Sequence, residues 1–170
     1  RTVDAPLQET LAAAMVALSG WHGDKPLYDP LCGSGTLLCE AMMHACNIPA
    51  GVLREKFGFR FLPDFDKPLW ESLKESADNS ITPLPEGLVS GSDSDPIAVM
   101  AAHVNCRALP DGASIQIQQK DFNEIDGLEN SVILCNPPYG IRLGAGQDLE
   151  VFYKAFGDFL KQRCRGSEAY

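Results

Sequence analysis

The sequence predicts a three-layer α/β fold in which helices cover both faces of a mostly parallel sheet. The first indication is an apolar-to-acidic run, Leu27–Asp29, followed by a glycine-rich turn and then by apolar residues at helical spacing up to Cys46. The second is a pair of further β-prone runs, 88–93 and 132–135. Strands that alternate with helices in this way are typical of parallel sheets.

The N-terminal segment is predicted to form a helix over residues 5–18, with Asp4 as its N-cap and Pro6 in its first turn. Trp21 is expected to pack onto the core after the helix ends. The expected buried face is an apolar stripe at helical spacing, made of Leu7, Leu11, Ala14 and Leu18.

The glycine-rich turn between the first strand and its helix is predicted to bind a ligand. Gly33 and Gly35 permit a tight turn and close approach of a ligand, and the N–H groups of a helix N-terminus favour an anion. A dinucleotide fingerprint would place its third glycine where Leu38 stands. Asp29 would repel a pyrophosphate but attract an ammonium group. An amino-acid end carries both charges, which favours S-adenosylmethionine over NAD.

Residues 50–85 are predicted to form an insert between the first two strands, with a short helix over 69–77. The insert contains basic side chains at Arg54, Lys56 and Arg60, which together with aromatic rings could bind RNA. We favour the alternative that these rings form a satellite hydrophobic cluster. The aromatic residues are Phe57, Phe59, Phe61, Phe65 and Trp70.

The second predicted strand, residues 88–93, ends in an acidic side chain. A carboxylate at this position can accept hydrogen bonds from the ribose hydroxyls of an adenosine. We assign that role to Asp93 rather than Asp95, which is better placed to cap the helix predicted over 96–109, with Pro96 at its first position.

The third predicted strand, residues 114–119, leads into an acidic and aromatic pair. Asp121 could accept a hydrogen bond from the adenine amino group, and Phe122 could lie along the adenine face. Their position after a third strand would place both at the edge of the sheet where ligands bind.

The fourth predicted strand, Val132–Cys135, ends in the sequence Asn136-Pro137-Pro138-Tyr139-Gly140. Two successive prolines make a rigid, extended exit from the strand. The side-chain oxygen of Asn136 and the carbonyl of Pro137 could accept both hydrogens of an exocyclic amino group, which would draw the nitrogen lone pair out of ring conjugation. The ring of Tyr139 could stack on the base.

The last predicted helix covers residues 150–163 and follows the fourth strand as a crossover helix. The preceding segment, Gly144–Gly146, is expected to close over a substrate. The helix is amphipathic, and its expected inward side chains are Phe152, Phe156, Phe159 and Leu160.

Together these motifs resemble the class I S-adenosylmethionine-dependent methyltransferases that modify amino nitrogens. More closely, the chain resembles the bacterial 23S rRNA guanine-N2 methyltransferases that carry a THUMP domain, the large-subunit methyltransferase K/L family. The resemblance implies a Rossmann-like sheet with helices on both faces, four strands in the order 3-2-1-4, and C-terminal strands outside this chain. It runs over residues 5–14, 29–41, 49–51 with 58–59, 91–95 and 136–140.

The resemblance implies methyl transfer from S-adenosylmethionine to the N2 amino group of a guanine in 23S rRNA, in the cytoplasm. The chain would be a partial methyltransferase domain over residues 1–170, and a separate THUMP domain would share RNA binding. The implied catalytic residues are Asn136, Pro137, Pro138 and Tyr139. The implied cofactor-binding residues are Asp29, Pro30, Cys32, Gly33, Ser34, Gly35, Asp93, Ser94, Asp121, Phe122 and Asn136.

Composition narrows the function further. The net charge of −9 argues against RNA binding by this segment alone, because phosphates are neutralised by Lys and Arg. The six cysteines form no C-x-x-C pair and the three histidines do not cluster with them, so we expect no metal site. No apolar run approaches the ~20 residues of a membrane span, and the first residues do not resemble a signal peptide.

Two other functions are compatible with the same motifs. One is an amino methyltransferase that acts on adenine or cytosine in DNA, or on a glutamine side chain. The other is a non-catalytic module that binds the cofactor or RNA, which would suit the acidic composition. A nicotinamide oxidoreductase is disfavoured by Leu38 and by the Asn136–Tyr139 motif.

Overall fold

The computed structural model describes residues 7–139 and 149–170. Its central element is one parallel sheet. Its strands are β1 (Leu27–Asp29), β2 (Val89–Asp93), β3 (Gln116–Gln119), β4 (Val132–Ile133) and β5 (Glu168–Ala169). Their order across the sheet is β3-β2-β1-β4-β5, and every neighbouring pair is parallel. The chain crosses from one strand to the next through helices or long connections, as parallel pairing requires.

The predicted order of the first four strands is confirmed, but the prediction that the chain supplies only four strands is wrong. β5 lies beside β4, where the N–H of Glu168 donates to the carbonyl of Ser131 at 3.0 Å. The N–H of Tyr170 donates to the carbonyl of Ile133 at 2.9 Å. A strand of two exposed residues carries no alternation of polar and apolar side chains, so sequence periodicity could not reveal it.

The helices lie on both faces of the sheet. They are α1 (Glu9–Leu18), α2 (Thr36–Ala45), α3 (Lys67–Asn79), α4 (Pro96–Arg107) and α5 (Leu149–Arg163). Side chains of α1, α2 and α4 share one core cluster with Leu27, whereas α5 shares a second cluster with the next residue, Tyr28. Because successive side chains of a strand point to opposite faces, α1, α2 and α4 cover one face and α5 covers the other.

The first helix begins later than predicted and buries a different face. Gln8 is its extended N-cap, so α1 starts at Glu9; the proposed cap and first-turn residues, Asp4 and Pro6, lie outside the described residues. Ala12 and Val16 are buried, whereas two residues of the predicted stripe, Leu11 and Leu18, are 52% and 86% exposed. The helix is almost uniformly apolar, so helical spacing alone fits either face. Trp21 is buried, as predicted.

The insert folds around its own aromatic cluster. Helix α3 is longer than predicted at both ends, and the Asp66 carboxylate caps it by accepting from the N–H of Leu69 at 3.0 Å. The satellite cluster is confirmed for four of the five rings, while Phe61 is 85% exposed. The packed rings lie 4.9–5.9 Å apart between centroids and belong to Phe57, Phe59, Phe65 and Trp70.

The remaining boundaries shift by a few residues. Helix α4 ends at Arg107 rather than Leu109, and β3 begins only after a 3₁₀ turn at Gly112–Ser114. Gly144–Gly146 lies outside the described residues. In the part of the chain that the structure describes, no helix has the length and apolar character needed to cross a membrane.

Candidate functional site

The parallel topology brings the predicted polar residues to one edge of the sheet. Asp29 and Asp93 end β1 and β2, Asp121 follows β3, and Asn136 follows β4. The carboxyl ends of parallel strands lie at the same edge, and ligands of open α/β sheets bind there. The N–H of Gly33 donates to Oδ2 of Asp93 at 2.9 Å, which joins the glycine turn directly to the end of β2.

The two glycines of the turn have different roles. Both have positive φ, +53° at Gly33 and +80° at Gly35, so an L side chain would strain either position. A Cβ on Gly33 would meet no described heavy atom within 4 Å, which leaves this side open to a ligand. A Cβ on Gly35 would lie 3.0 Å from the Cβ of Ala102 on α4. The tight turn predicted at Gly35 is confirmed, and packing against α4 is a second reason for a glycine there.

The N-terminus of α2 is open towards the same edge. Its N-cap is Gly35, and no side chain caps the helix in the described structure. The backbone just before it is fixed, because the N–H of Gly35 donates to the carbonyl of Cys32 at 2.8 Å and Asn105 donates to the carbonyl of Ser34 at 2.9 Å. First-turn N–H groups without a side-chain acceptor favour an anionic ligand.

Asp93 is positioned to hold both the turn and a polyhydroxyl ligand. It is partly exposed; its Oδ2 accepts from Gly33, and its Oδ1 accepts from the N–H of Asp95 at 2.9 Å. A carboxylate has about four lone-pair positions, so further acceptor capacity remains for hydroxyl groups. Asp95 caps α4 by accepting from the N–H of Ile97 at 2.9 Å, as predicted. Ser94 is exposed at the rim beside Asp93.

Asp29 is placed differently from the prediction. Its side chain is buried with 1% exposure, and Oδ1 accepts from the N–H of Leu31 at 3.0 Å. Burial, with a smaller contribution from the nearby charge of Asp93, raises the pKa of Asp29 to about 8. With almost no exposed surface and Oδ1 bonded to the backbone of Leu31, Asp29 supports the turn from its buried side. Pro30 and Cys32, also predicted to bind the ligand, are buried beside it.

The raised pKa of Asp29 predicts a specific pH dependence of stability. Between the ordinary pKa of 3.8 and the folded value of about 8, the unfolded chain releases a proton that the folded chain keeps, so the free energy of unfolding falls as pH rises. Asp29→Asn keeps the Oδ1 acceptor but has no proton to release. We expect its stability relative to the wild type to increase by about 2–4 kcal/mol between pH 5 and pH 8.

Urea unfolding of both proteins at the two pH values measures this difference. Asp126→Asn, which removes an exposed carboxylate of the same acidic chain, controls for net charge. A stability difference between Asp29→Asn and the wild type that stays constant from pH 5 to pH 8 would contradict the prediction.

The residues after β3 form a capped turn rather than a stacking platform. Oδ1 of Asp121 accepts from the N–H of Asn123 at 2.8 Å, and the carboxylate of Glu124 accepts from the N–H of Asp121 at 3.0 Å. Phe122 is only 4% exposed, and its ring centroid lies 5.3 Å from that of Phe156 on α5. The structure therefore places Asp121 at the edge but puts the ring of Phe122 in the core. The predicted contact of Phe122 with an adenine face does not fit this position.

The Asn136–Tyr139 motif leaves the sheet next to β1. The chain continues β4 in register, because the N–H of Leu134 donates to the carbonyl of Tyr28 at 3.1 Å. Leu134 and Cys135 are buried, Asn136 to Pro138 are partly exposed, and Tyr139 is 53% exposed. This change from buried to exposed places the predicted acceptors at the surface. Gly140 lies outside the described residues.

A tyrosine of α5 holds the motif from the other side. The hydroxyl of Tyr153 donates to the carbonyl of Pro138 at 3.0 Å. The sequence analysis missed this residue because helical periodicity selects the inward phenylalanines of α5 and treats Tyr153 as a solvent-facing position. The available signal was that Tyr153 directly follows the inward Phe152, and this signal is weak.

Tyr153→Phe tests whether this hydrogen bond positions the motif. The variant keeps the ring and loses only the donor, so we expect the rate of product formation at saturating substrates to fall about three- to tenfold. Ligand affinity at the glycine turn should not change. Tyr170→Phe is the matched control, since it also removes an exposed tyrosine hydroxyl, one that donates to Glu168 at 3.0 Å. If Tyr153→Phe formed product as fast as Tyr170→Phe, the hydrogen bond from Tyr153 would have no role in positioning the motif.

The cysteines are packing residues, and one pair of them lies behind the glycine turn. All six are free thiols, and five of them are buried. The Sγ atoms of Cys39 on α2 and Cys106 on α4 lie 3.5 Å apart, where the two helices meet behind the glycine turn. Within residues 7–139 and 149–170, no group of three or more His, Cys, Asp and Glu side chains is arranged to hold a metal ion.

Comparisons with known proteins agree with this geometry. The family model UPF0020, described as RMKL-like, methyltransferase domain, matches residues 1–170. The slr0064 protein of Synechocystis sp., named as a candidate RNA methyltransferase, is 42% identical over 98% of this chain and 44% of its own length. The ribosomal RNA large subunit methyltransferase K/L of Vibrio campbellii is 43% identical over 97% of this chain and 24% of its own.

A solved structure extends the comparison to the fold. SMU.472, a candidate methyltransferase crystallised with SAH, superimposes with a TM-score of 0.83 at 30% identity. The match covers 96% of this chain and 44% of SMU.472. This chain thus spans less than half the length of each of these three proteins.

Proposed function

Because the chain belongs to the RMKL-like methyltransferase domain family, we propose that its parent protein transfers a methyl group from S-adenosylmethionine to the N2 amino group of a guanine in 23S rRNA. One observation carries the proposal. The Asn136–Tyr139 motif emerges beside β1 at the same sheet edge as the linked pair Gly33 and Asp93. This arrangement supports the proposal, because it would set the amino group to be methylated beside the amino-acid nucleoside that carries the methyl group.

The turn and the strand ends fit the cofactor. The uncapped first turn of α2, reached past Ser34 and the open side of Gly33, suits the carboxylate of the methionine part. Asp93, with Ser94 at the rim, suits the ribose hydroxyls, and Asp121 suits the adenine amino group. Asp29, Pro30, Cys32, Gly35 and Phe122 support these contacts from the buried side.

The motif residues orient the reacting nitrogen. In the proposed complex, the Asn136 side-chain oxygen and the Pro137 carbonyl accept the two hydrogens of the guanine amino group, which directs its lone pair out of the ring plane. Pro138 keeps the backbone extended, and Tyr139 stacks on the base. Bound S-adenosylmethionine supplies an electrophilic methyl group on a positively charged sulfur.

Transfer needs orientation more than a strong base. With S-adenosylmethionine bound, the guanine nitrogen would bond to the methyl carbon while the sulfur kept the electron pair of the broken carbon–sulfur bond. The methylated nitrogen is then acidic, and its proton passes to water. A site without a catalytic His or Glu can therefore run this reaction by holding both groups in line.

Binding of a large RNA requires a positively charged surface, and this acidic chain offers little of it. The net charge of −9 opposes a broad phosphate interface, so we propose that a separate THUMP domain contributes RNA binding in the full-length protein. An rRNA substrate places the reaction in the bacterial cytoplasm.

The test uses the full-length protein with unmodified 23S rRNA and labelled S-adenosylmethionine. The RNA is digested to nucleosides and the methylated product identified by mass spectrometry. N2-methylguanosine supports the proposal. A different methylated nucleoside would move the target to another amino group, and label in DNA or in a glutamine side chain would replace the substrate class. Cofactor binding without turnover on any of these acceptors would favour a binding module.

A further inference from the structure

The insert lies at the edge of the sheet opposite the candidate site. Helix α2 starts at the glycine turn and its ten residues lead away from it over about 15 Å. The insert follows, and it returns to the core where the N–H of Thr82 donates to the carbonyl of Cys46 at 2.9 Å, shortly before β2 begins at Val89. Both ends of the insert are therefore anchored at the far end of α2, away from the glycine turn.

Phe61 is exposed on a rigid support. Its four aromatic neighbours in the insert pack against one another, but Phe61 itself is 85% exposed at the end of the 3₁₀ turn Gly58–Phe61. An aromatic ring costs little conformational entropy to hold in place and offers a flat face for stacking. The packed rings beneath fix the turn that presents it.

Three cations precede this ring within seven residues of the sequence, in a chain that is acidic as a whole, and Asp64 is the next carboxylate after the ring. Arg54, Lys56 and Arg60 are all exposed, with Glu55 as the only carboxylate between residues 54 and 60. Among the described residues these three cations form no salt bridge. The lysines of α3 differ, because Lys67 pairs with Glu71 at 3.4 Å and Lys74 pairs with Asp78 at 2.5 Å.

We propose that Arg54, Lys56, Arg60 and Phe61, the insert tip, bind a single-stranded segment of the RNA substrate away from the methylated base. Stacking on Phe61 would hold one base, and the cations would neutralise adjacent phosphates. Arg54 already lies over an aromatic ring, with its guanidinium carbon 5.8 Å from the centroid of Phe57. The inference rests on the proposed function, since it names the surface by which that enzyme would hold its RNA.

The complementarity of charge favours RNA over a protein partner. Exposed apolar side chains at Leu53 and Leu62 flank the tip, as they would in a protein interface. Three exposed cations that form no salt bridge with any described residue, next in sequence to an exposed ring, match the phosphates and bases of a nucleic acid chain.

Binding measurements on the full-length protein test the insert tip. The probe is a 23S rRNA fragment that the wild type methylates, and its affinity is measured by fluorescence anisotropy at several salt concentrations. Phe61→Ala should weaken RNA binding about tenfold, and Arg60→Ala should lower the salt slope by about one. S-adenosylmethionine affinity and the transfer rate at saturating RNA should stay at wild-type values. Leu18→Ala on α1, at 86% exposure, controls for loss of an exposed apolar side chain.

The outcomes separate this inference from the proposed function. If both variants bind RNA like the wild type, and the wild type still produces methylated guanine, the insert tip does not bind RNA. The proposed function is then unaffected. A fall in RNA affinity accompanied by a matching fall in melting temperature or a change of oligomeric state assigns the surface to protein packing and also overturns the inference. A wild type that methylates no RNA removes the proposed function and the inference together.

Discussion

Asn136→Ala is expected to lower the transfer rate at saturating substrates by about 10²–10³-fold, because it removes one of the two acceptors proposed to orient the guanine amino group. Its backbone lies on the continuation of β4, and Leu134 and Cys135 before it are buried, so the variant should remain folded. Binding of S-adenosylmethionine should change little, because the proposed cofactor contacts lie mainly at the glycine turn and Asp93. Single-turnover kinetics and calorimetric titration measure the two quantities separately.

Two further variants sharpen this test. Asn136→Asp keeps an acceptor oxygen, and we expect it to recover part of the lost rate if acceptance of a hydrogen bond is the role. Asn79→Ala, at the exposed end of α3, should match the wild type in every measurement. Wild-type turnover by Asn136→Ala at saturating cofactor would remove Asn136 from the reaction and with it the proposed role of the motif.

Much of the site could be predicted because a parallel sheet turns local sequence into spatial proximity. The ends of the first four strands were marked by a polar residue after a β-prone or alternating run, and parallel pairing places those ends at one edge. This logic placed Asp93, Asp121 and Asn136 at one edge of the sheet, although they are far apart in the chain, and their contacts with a ligand stay predictions. The capping role of Asp95 was also local, since it depends only on the backbone N–H of Ile97.

The errors concern burial, which local patterns do not determine. The ring of Phe122 is enclosed by phenylalanines of α5, which lie more than two dozen residues later in the chain. The Asp121-Phe122 pair itself contains no pattern that predicts these contacts. Asp29 is buried at the end of β1, which is the central strand of the sheet, and the run Leu27–Asp29 alone does not reveal that position. The buried face of α1 was equally undetermined, because both of its faces are apolar and only the position of α2 chooses between them.

Asp93→Ala is expected to weaken S-adenosylmethionine binding by about two orders of magnitude. The variant loses the proposed acceptor of the ribose hydroxyls, and hydrogen bonds to a charged group contribute about 1.5–3 kcal/mol each. It also releases the N–H of Gly33, which Oδ2 of Asp93 holds at 2.9 Å, so the glycine turn loses its link to β2. The transfer rate at saturating cofactor should fall much less than the affinity, because the Asn136–Tyr139 motif is unchanged.

Asp95→Ala separates ligand binding from stability in this test. It removes a neighbouring carboxylate that caps α4, so it should cost about 1 kcal/mol of folding free energy and leave cofactor affinity intact. Calorimetric titration of both variants, with urea unfolding alongside, gives the two effects independently. If Asp93→Ala bound the cofactor like the wild type, the ligand at this edge would not use the end of β2. The backbone of the glycine turn and the side chain of Asp121 would then have to hold the cofactor without that carboxylate.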